Sequence, residues 1–443
     1  MFKRFIKSAK LILSNSTLLR RIGITFAILL VFKIGTFITV PLIDTLQIKL
    51  AIGQLNEGGL LGLLNTFSGG GLSSFSILAL GISPYITASI VVQMLQLVIP
   101  PLKEIAEEGE TGKQKLNRIT RYVSVGLAFV QALALILGLN TTAQNILEIF
   151  VIKDNSLVPL FFIYMALVIT AGSCFTVWIA DLITQYGVGN GSSMIIGAGI
   201  ITQIPVMIGT LTTKYLDESV VNAANVFNFV LILLLYVLII LGVVFLEATN
   251  RKIPVQYANR SGKSDSNIPI KLNTSGVMPV IFASTIMSLP LTVIGLLGES
   301  TTSGVGFWIN EIFNSNQPIG MILYVILIYL FSFFYAFMQL DPAKVADNLK
   351  NSNAFIPAVR PGQETENYIS RVLFKVTLLG ATYLVLLALI PSIVSKIFAF
   401  TDQEASVITI GGTGLLIIVG VAIETMKQLE AQATEQTYSG FIE

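Results

Sequence analysis

The chain has 443 residues, of which 53% are hydrophobic and only 12% are charged. Because soluble domains carry about 25% charged residues, this composition excludes a soluble protein and indicates a membrane protein with many spans. The net charge of +2 is too small to indicate a nucleic-acid partner. The absence of histidine and the single cysteine, Cys174, exclude a histidine-dependent triad, an imidazole metal site and an internal disulfide.

Residues 1–21 form a basic, amphipathic segment in front of the first long apolar run. A secretory signal peptide would have a shorter apolar region followed by a small-residue cleavage site. Here the run is too long and no such site follows. We therefore expect residues 1–21 to lie at the cytoplasmic membrane surface and to lead into the first span.

Ten nearly uncharged runs are long enough to cross a bilayer, since a membrane helix needs about 20 apolar residues. The run at 226–247 is apolar on every face, as expected for a helix surrounded by lipid or by other helices. The sequence therefore predicts an all-α polytopic membrane protein. The predicted spans lie near 22–42, 74–99, 120–139, 157–179, 190–213, 226–247, 276–298, 318–340, 372–393 and 405–425.

Basic residues are concentrated on one side of the predicted membrane. With the N-terminus inside, twenty-one of the 27 Lys and Arg residues fall in inner segments and four in outer segments. Because basic residues stay on the cytoplasmic side, both termini are predicted to be cytoplasmic. The other two, Lys33 and Lys375, fall within spans. Lys375 is expected to extend to the interface, and Lys33 to face other helices or a cavity.

The second and seventh spans share a nine-residue pattern. GISPYITAS at 81–89 and GVMPVIFAS at 276–284 both fit G-[IV]-x-P-x-I-x-A-S. Chance similarity between apolar helices is one interpretation. The other is a duplication of five spans, in which the second copy crosses in the opposite sense and the functional site lies at the repeat interface. The predicted parts are then a first half, 22–213, an external connection, 214–225, a second half, 226–425, and a cytoplasmic tail, 426–443.

The stretch at 60–73, LLGLLNTFSGGGLS, is apolar but too short to cross a membrane. Its three consecutive glycines, 69–71, break any helix that runs through it. We predict a short helix that enters the membrane partway, where protein or a water-filled cavity surrounds the unpaired backbone. An ordinary external loop with an apolar patch is the alternative.

The sequence offers no catalytic motif. GETGKQK at 109–115 lacks both the glycine spacing and the Ser or Thr of a phosphate-binding loop. An ion-coupled transporter keeps carboxylates midway through its spans, whereas these spans have acidic residues only at their predicted cytoplasmic ends. We therefore expect no enzymatic activity, no cofactor and no bound metal.

The two largest predicted cytoplasmic loops, 248–275 and 341–371, carry nine of the inner basic residues. One explanation is that these basic residues only keep the two loops on the cytoplasmic side of the membrane. The alternative is a docking platform for a cytoplasmic partner, on which arginine can make bidentate contacts.

Eight motifs along the chain form a recognisable series. They are ALGISPYITASIVVQMLQ at 79–96, EEGETGKQKLNRITRY at 107–122, GVGNGSS at 187–193, RKIPVQY at 251–257, GVMPVIFAS at 276–284, ADNLKNSNAFIPAVRPGQETENYI at 346–369, GGTGLLI at 411–417 and the terminal YSGFI. In this order they resemble the bacterial SecY family, whose members are channel subunits of the general protein translocon. The resemblance covers essentially the whole chain.

The resemblance implies two inverted five-helix halves around an hourglass pore, with a re-entrant plug helix at about 60–72 and an apolar ring at the waist. Ser192 departs from the aliphatic residue usual at its position, which implies a wetter seal or a register shifted by one turn in the fifth span. The implied plug residues are Leu63, Leu64, Asn65, Thr66, Phe67, Ser68, Gly69 and Gly70. The implied ring residues are Ile86, Ile90, Ser192, Ile196, Ile281 and Ile417.

The resemblance also implies a function in the bacterial plasma membrane. The channel would pass unfolded preproteins with signal sequences, and would release transmembrane segments into membrane lipid between the second and seventh spans. Gln93 is a candidate residue at that lateral gate, with a buried hydrogen bond elsewhere as the alternative. Arg251, Lys252 and Arg360 would dock the SecA ATPase or the ribosome, and SecE and SecG would be partner subunits.

Two other function classes compete with a channel. A secondary transporter with an inverted repeat would need polar ligands at the midplane, where this sequence supplies isoleucines. A membrane scaffold without a pore would leave the glycine-broken segment and the two basic loops without a role.

Overall fold

The structure is a computed structural model that describes residues 15–41, 65–142, 158–216, 222–257, 266–297, 304–314, 317–398 and 402–439. Five predicted segments lie partly outside these ranges. They are the basic N-terminal segment, the start of the plug with Leu63 and Leu64, the external connection 214–225, the loop 248–275 and the end of the cytoplasmic tail.

Helices and helix pairs occupy all ten predicted spans, and the prediction of a polytopic helical fold is confirmed. The first half contains α1 (Ser16–Gly35), α2 (Ser83–Val98), α3 (Pro100–Glu107), α4 (Glu110–Thr142), α5 (Val158–Tyr186), α6 (Gly191–Ile201) and α7 (Ile204–Tyr215). The second half contains α8 (Ala223–Ala248), α9 (Met278–Leu297), α10 (Gly304–Phe313), α11 (Pro318–Gln339), α12 (Pro342–Asn351), α13 (Gln363–Ile397) and α14 (Asp402–Ser439).

Fewer than ten helices are identified as spans when only helix length and apolar composition are considered. Among the described residues, six helical segments are long and apolar enough to cross a membrane. The pair α2 and α3, bent by 100° at its break, gives a seventh candidate. The remaining predicted spans correspond to α1, α9 and α14. The fifth span is divided into α6 and α7 at Thr202 and Gln203, just before a proline.

The second span starts later than its apolar run predicts. The prediction placed its start at residue 74, but α2 begins at Ser83, and residues 68–82 form a series of turns. Positive φ angles at Gly69, Gly70, Phe75 and Gly81 prevent a continuous helix there. The apolar composition of these turns reflects burial, which the hydropathy pattern does not distinguish from a helix.

The nine-residue repeat is visible in the backbone. Gly81 and Gly276 both adopt left-handed conformations, with φ of 53° and 64°, and a helix begins two residues after each. A proline is the second residue of both helices. Backbone N–H groups in the first turn have no partner within the helix, so the proline removes no helical hydrogen bond. The two copies therefore share the same turn into their helices.

The likeness extends to the residues four positions before these glycines. Ile77 donates its N–H to the carbonyl of Ile38 after α1, and Leu272 donates its N–H to the carbonyl of Thr249 after α8, both at 2.9 Å. A Cβ added to Gly172 of α5 would lie 2.0 Å from the carbonyl oxygen of Ile77. A Cβ added to Gly380 of α13 would lie 2.2 Å from the carbonyl oxygen of Leu272. This equivalence supports a five-span duplication over chance similarity.

A small sheet joins the two long loops of the second half, which the sequence analysis did not predict. Strands β1 (Asn250–Tyr257) and β2 (Ser266–Lys271) form an antiparallel hairpin, and β3 (Ala354–Phe355) pairs with β1 in the order β2-β1-β3. Ile253 and Val255 point into a cluster that includes residues of α11 and α13. The sheet therefore brings the two loops together and attaches them to the spans.

Candidate functional site

Five of the six predicted ring residues lie in one buried apolar cluster. Ile86 and Ile90 come from α2, Ile196 from α6, Ile281 from α9 and Ile417 from α14. Each of the five exposes 5% or less of its surface. The two on α2 are four residues apart and so lie on one face of that helix. Helices from both halves thus contribute isoleucines to the same interior.

Ser192 lies apart from this cluster in the structure. It is the second residue of α6 and is half-buried. Its hydroxyl donates to the Asn190 side-chain oxygen at 2.7 Å, and the same oxygen accepts the Ser192 backbone N–H at 3.1 Å. Asn190 therefore caps α6, and Ser192 belongs to that cap. One turn beyond Ile196, Ile200 lies in the buried cluster.

The described part of the predicted plug is a compact turn held by its own hydrogen bonds. Residues 65–67 are helical, and the Asn65 carbonyl accepts the N–H of Gly70 at 2.8 Å. The Asn65 side chain accepts the N–H of Ser73 at 3.0 Å. The Ser68 hydroxyl donates to the Asn65 carbonyl and accepts the N–H of Leu72. These bonds satisfy polar backbone in a region without regular secondary structure.

The plug is seated against the isoleucine cluster. Phe67 is 4% exposed and belongs to the same cluster as the ring isoleucines. At Gly199 of α6, an added Cβ would lie only 2.5 Å from the Thr66 carbonyl oxygen. At Gly81, it would lie 2.8 Å from the Phe67 carbonyl oxygen. Close backbone approach therefore holds the plug between α6 and the turn before α2.

Lys33 connects α1 to the plug. It lies in the last turn of α1 and donates from Nζ to the carbonyl oxygen of Gly69 at 2.9 Å. The same ammonium group is 5.1 Å from the ring centroid of Phe37. Lys33 is predicted to face other helices or a cavity, and the structure places its ammonium group on a carbonyl of the plug turn. Sequence patterns do not indicate which carbonyl it binds.

Gln93 makes a hydrogen bond across the two halves. Its side-chain nitrogen donates to the Ser89 hydroxyl at 2.9 Å on the same helix. Its oxygen accepts from the Tyr335 hydroxyl of α11. The Tyr335 ring is 5.0 Å from that of Phe282 on α9, in an edge-on arrangement. Gln93 thus lies beside the contact of α2 with α9, but its partner belongs to the eighth span.

The three predicted docking residues are exposed in the two loops that the sheet joins. Arg251 and Lys252 lie near the start of β1 and are both exposed, ahead of the buried Ile253 and Val255. Arg360 lies in a turn between β3 and α13, and its carbonyl accepts from the Thr365 hydroxyl at 2.8 Å. The sheet thus fixes the chain at Arg251 and Lys252 and joins their loop to the one that contains Arg360, and all three residues are exposed.

A polar network lies at the start of the second copy of the repeat. Asn273 donates to the Glu247 carboxylate and to the Gly276 carbonyl, both at 2.9 Å. Lys427 donates to the Glu247 backbone carbonyl at 2.7 Å, and its Nζ is 3.7 Å from the carboxylate. Glu247 is buried, at 7% exposure. The network joins α8, the loop before α9, and α14.

Tyr335 and Asn273 were not identified from sequence. A tyrosine or an asparagine in an apolar region indicates a hydrogen-bond partner, but the sequence does not show which one. Within the ranges that the structure describes, no three His, Cys, Asp or Glu side chains could hold a metal ion. The arrangement suits a closure rather than chemistry, because an apolar constriction excludes water and ions.

Comparison with known proteins identifies the family. The model of the SecY family matches residues 76–426. The protein translocase subunit SecY of Halalkalibacterium halodurans is 42% identical over 431 residues, which cover 96% of each chain. That of Bacillus subtilis is 40% identical over 435 residues, which cover 96% of this chain and 97% of the relative.

Solved structures show the same fold. A structure described as a protein conducting channel has a TM-score of 0.61 at 18% identity, covering 93% of this chain and 91% of that one. Sec61 in a canine ribosome-channel complex from the endoplasmic reticulum gives the same values. At this identity the likeness concerns the fold alone.

Proposed function

The chain belongs to the SecY family, and on that premise we propose that it is a protein-conducting channel for unfolded secretory polypeptides. Members of this family are channel subunits and not enzymes. The expected channel function and the absence of a catalytic role agree with the family assignment. The proposal extends this assignment to particular residues.

The observation that carries the proposal is the shared burial of the isoleucines and the plug. Ile86, Ile281 and Ile417 come from both halves and lie in one apolar cluster with Phe67 of the plug. An apolar constriction resists wetting and so blocks ions. Isoleucine side chains form no hydrogen bonds or covalent links with one another, so they can separate around a polypeptide. We assign the resting seal to this cluster and the plug.

Ser192 takes a different role in this proposal. Its hydroxyl is engaged with the helix cap at Asn190, and the isoleucines of α6 in the cluster are Ile195, Ile196 and Ile200. The α6 contribution to the ring is therefore assigned to the turn that contains Ile196. Ser192 lies outside the buried cluster.

The proposal includes a lateral gate and a docking face. The hydrogen bond between Gln93 and Tyr335 joins the two halves beside α9, so parting the halves for a transmembrane segment would break it. The exposed Arg251, Lys252 and Arg360 would receive the SecA ATPase or the ribosome. Partner subunits SecE and SecG, a bacterial plasma membrane location and cytoplasmic termini belong to the same proposal.

The competing function classes have less support. A secondary transporter would need charged or strongly polar ligands at the centre, whereas the central cluster consists of aliphatic side chains, methionine, phenylalanine and four tyrosines. A scaffold without a pore would not need a glycine-rich turn packed inside the membrane domain. The family assignment also favours the channel.

The test is crosslinking to a secretory chain stalled in transit. In a Cys174→Ala background, Ile281→Cys and Ile417→Cys should each crosslink to a cysteine in the stalled chain. Leu241→Cys and Leu379→Cys are matched controls, because these side chains on α8 and α13 are 63% and 64% exposed in the isolated chain. Crosslinking at the controls but at neither isoleucine would contradict the ring assignment.

A further inference from the structure

The contact between Lys33 and Gly69 joins the predicted plug to a membrane helix by a charged hydrogen bond of 2.9 Å. We propose that Lys33 is a plug-positioning residue, whose ammonium group holds the Gly69 carbonyl and keeps the plug seated in the resting channel. The proposal rests on the proposed channel function. It adds a role for a residue of the first span that contributes nothing to the ring.

The hydrogen bonds around Gly69 show why this contact differs from the others. The Ser68 carbonyl accepts the N–H of Gly71, and the Gly70 carbonyl accepts the hydroxyl groups of Ser73 and Ser74. All three bonds are local, within residues 68–74. The Gly69 carbonyl between them accepts from Lys33, which is 36 positions earlier in the chain. A plug that leaves its seat can keep its internal bonds, but it loses the bond to Lys33.

The surroundings strengthen this contact. Phe32 is 1% exposed, and its ring would lie 3.3 Å from a Cβ added at Gly69. Water therefore has limited access to the carbonyl, and a buried carbonyl without a partner is unfavourable. Lys33 also lies at the carboxyl end of α1, where a positive charge is favoured by the helix dipole. Its position over Phe37 adds a cation–π interaction.

Gly69 and Gly70 make the seated turn conformationally specific. Their φ angles of 68° and 88° lie in the left-handed region, which glycine adopts without strain. This conformation presents the Gly69 carbonyl to α1, while the Gly70 carbonyl faces Ser73 and Ser74. The glycine pair therefore supplies the acceptor, and Lys33 supplies the donor from outside the plug.

Resting ion conductance of the complete channel complex in a planar bilayer tests the role of Lys33. Lys33→Met removes the charge and the donor while retaining much of the length of the side chain. We expect resting conductance to increase about tenfold, since a hydrogen bond to a charged group is lost. Lys33→Arg keeps the charge and the donors and should remain close to the unchanged protein. Lys375→Met is the matched control, because Lys375 is an exposed lysine within another span.

A plug deletion separates this proposal from the channel proposal. Deleting residues 65–71 should raise resting conductance, and adding Lys33→Met to the deletion should raise it no further. If the deletion leaves conductance unchanged, the plug assignment itself is wrong. If the deletion raises conductance but Lys33→Met alone does not, the positioning role of Lys33 is wrong. An equal effect of Lys33→Met with and without the plug would also overturn it.

Discussion

The two copies of the repeat share a framework but carry different structures in front of it. Ile77 and Leu272 make equivalent backbone bonds, and Gly172 and Gly380 approach them equally closely. The first copy follows the plug, so an added Cβ at Gly81 would meet the plug backbone. At Gly276, the equivalent glycine, such a Cβ would have nothing within 4 Å.

The polar contacts of the two copies differ in a related way. In the first half, one lysine binds one carbonyl of the plug. In the second half, Asn273, Glu247 and Lys427 form a connected network that fixes the loop after the sheet. A single contact suits a segment that must leave its seat, whereas a network suits a fixed platform. On the proposed function, the duplicated framework would support a movable seal in one half and a rigid docking face in the other.

The largest expected effect concerns the shared framework. Gly172→Ala and Gly380→Ala each place a Cβ about 2 Å from a backbone carbonyl oxygen, at 2.0 and 2.2 Å. Because backbone surrounds both positions, relief requires helix displacement, and we expect each change to lower the free energy of unfolding by about 3 kcal/mol. The thermal unfolding midpoint in detergent and the level in the membrane measure this loss.

Two other glycines provide controls for that comparison. Gly126 and Gly209 have nothing within 4 Å of an added Cβ, so Gly126→Ala and Gly209→Ala should leave both measurements nearly unchanged. Similar losses at the two framework glycines would sharpen the likeness of the halves. A loss at one framework glycine alone would show that the two contacts are not equivalent in energy.

The next effect concerns the difference between the halves. Arg360→Glu should lower the rate of SecA-dependent precursor export at least about tenfold, because a bidentate cation is replaced by an anion. The amount of channel in the membrane should stay normal, since Arg360 is exposed. Reconstituted vesicles with SecE, SecG and SecA, supplied with ATP and a precursor, provide the measurement.

Arg118→Glu provides the matched control in the first half, at another exposed arginine near the start of α4. Its export rate should remain close to that of the unchanged protein. Equal losses for both reversals would argue that the docking face extends over both halves. Normal export with Arg360→Glu would remove Arg360 from the docking face.

The spans and the glycine break could be predicted because each depends on the residues of one short stretch of sequence. Long apolar runs mark membrane helices, and consecutive glycines interrupt them. The late start of α2 could not be predicted, since buried turns at 68–82 are as apolar as a helix. The β1–β2 hairpin was also missed, because its two strands are short and each contains a proline, Pro254 and Pro269.

The site could be predicted in part for a similar reason. The repeated motif and the family motifs indicated Ile86 and Ile281, and the structure places both in the buried cluster. The partner of Lys33 and the partner of Gln93 lie 36 and 242 positions away in the chain. Such pairs depend on the packing of separate helices, which hydropathy and local motifs do not specify.

The smallest expected effect concerns the bond between the halves. Tyr335→Phe removes only the hydroxyl that donates to the Gln93 side-chain oxygen, while the ring can still pack against Phe282. Gln93→Leu removes the acceptor. Each change should weaken the closed contact by about 1 kcal/mol, and the double variant should weaken it by little more than either single variant.

Export of a precursor with a defective signal sequence measures this contact, because easier separation of the halves should raise its export. Both single variants should raise it by about fivefold, and the double variant should match them. Tyr329→Phe is the matched control, because its hydroxyl bonds to Thr382 within the second half. Additive effects of Gln93→Leu and Tyr335→Phe would show that the two residues act separately. The hydrogen bond between Gln93 and Tyr335 would then not hold the gate closed. The closed state would depend instead on apolar packing of α2 against α9.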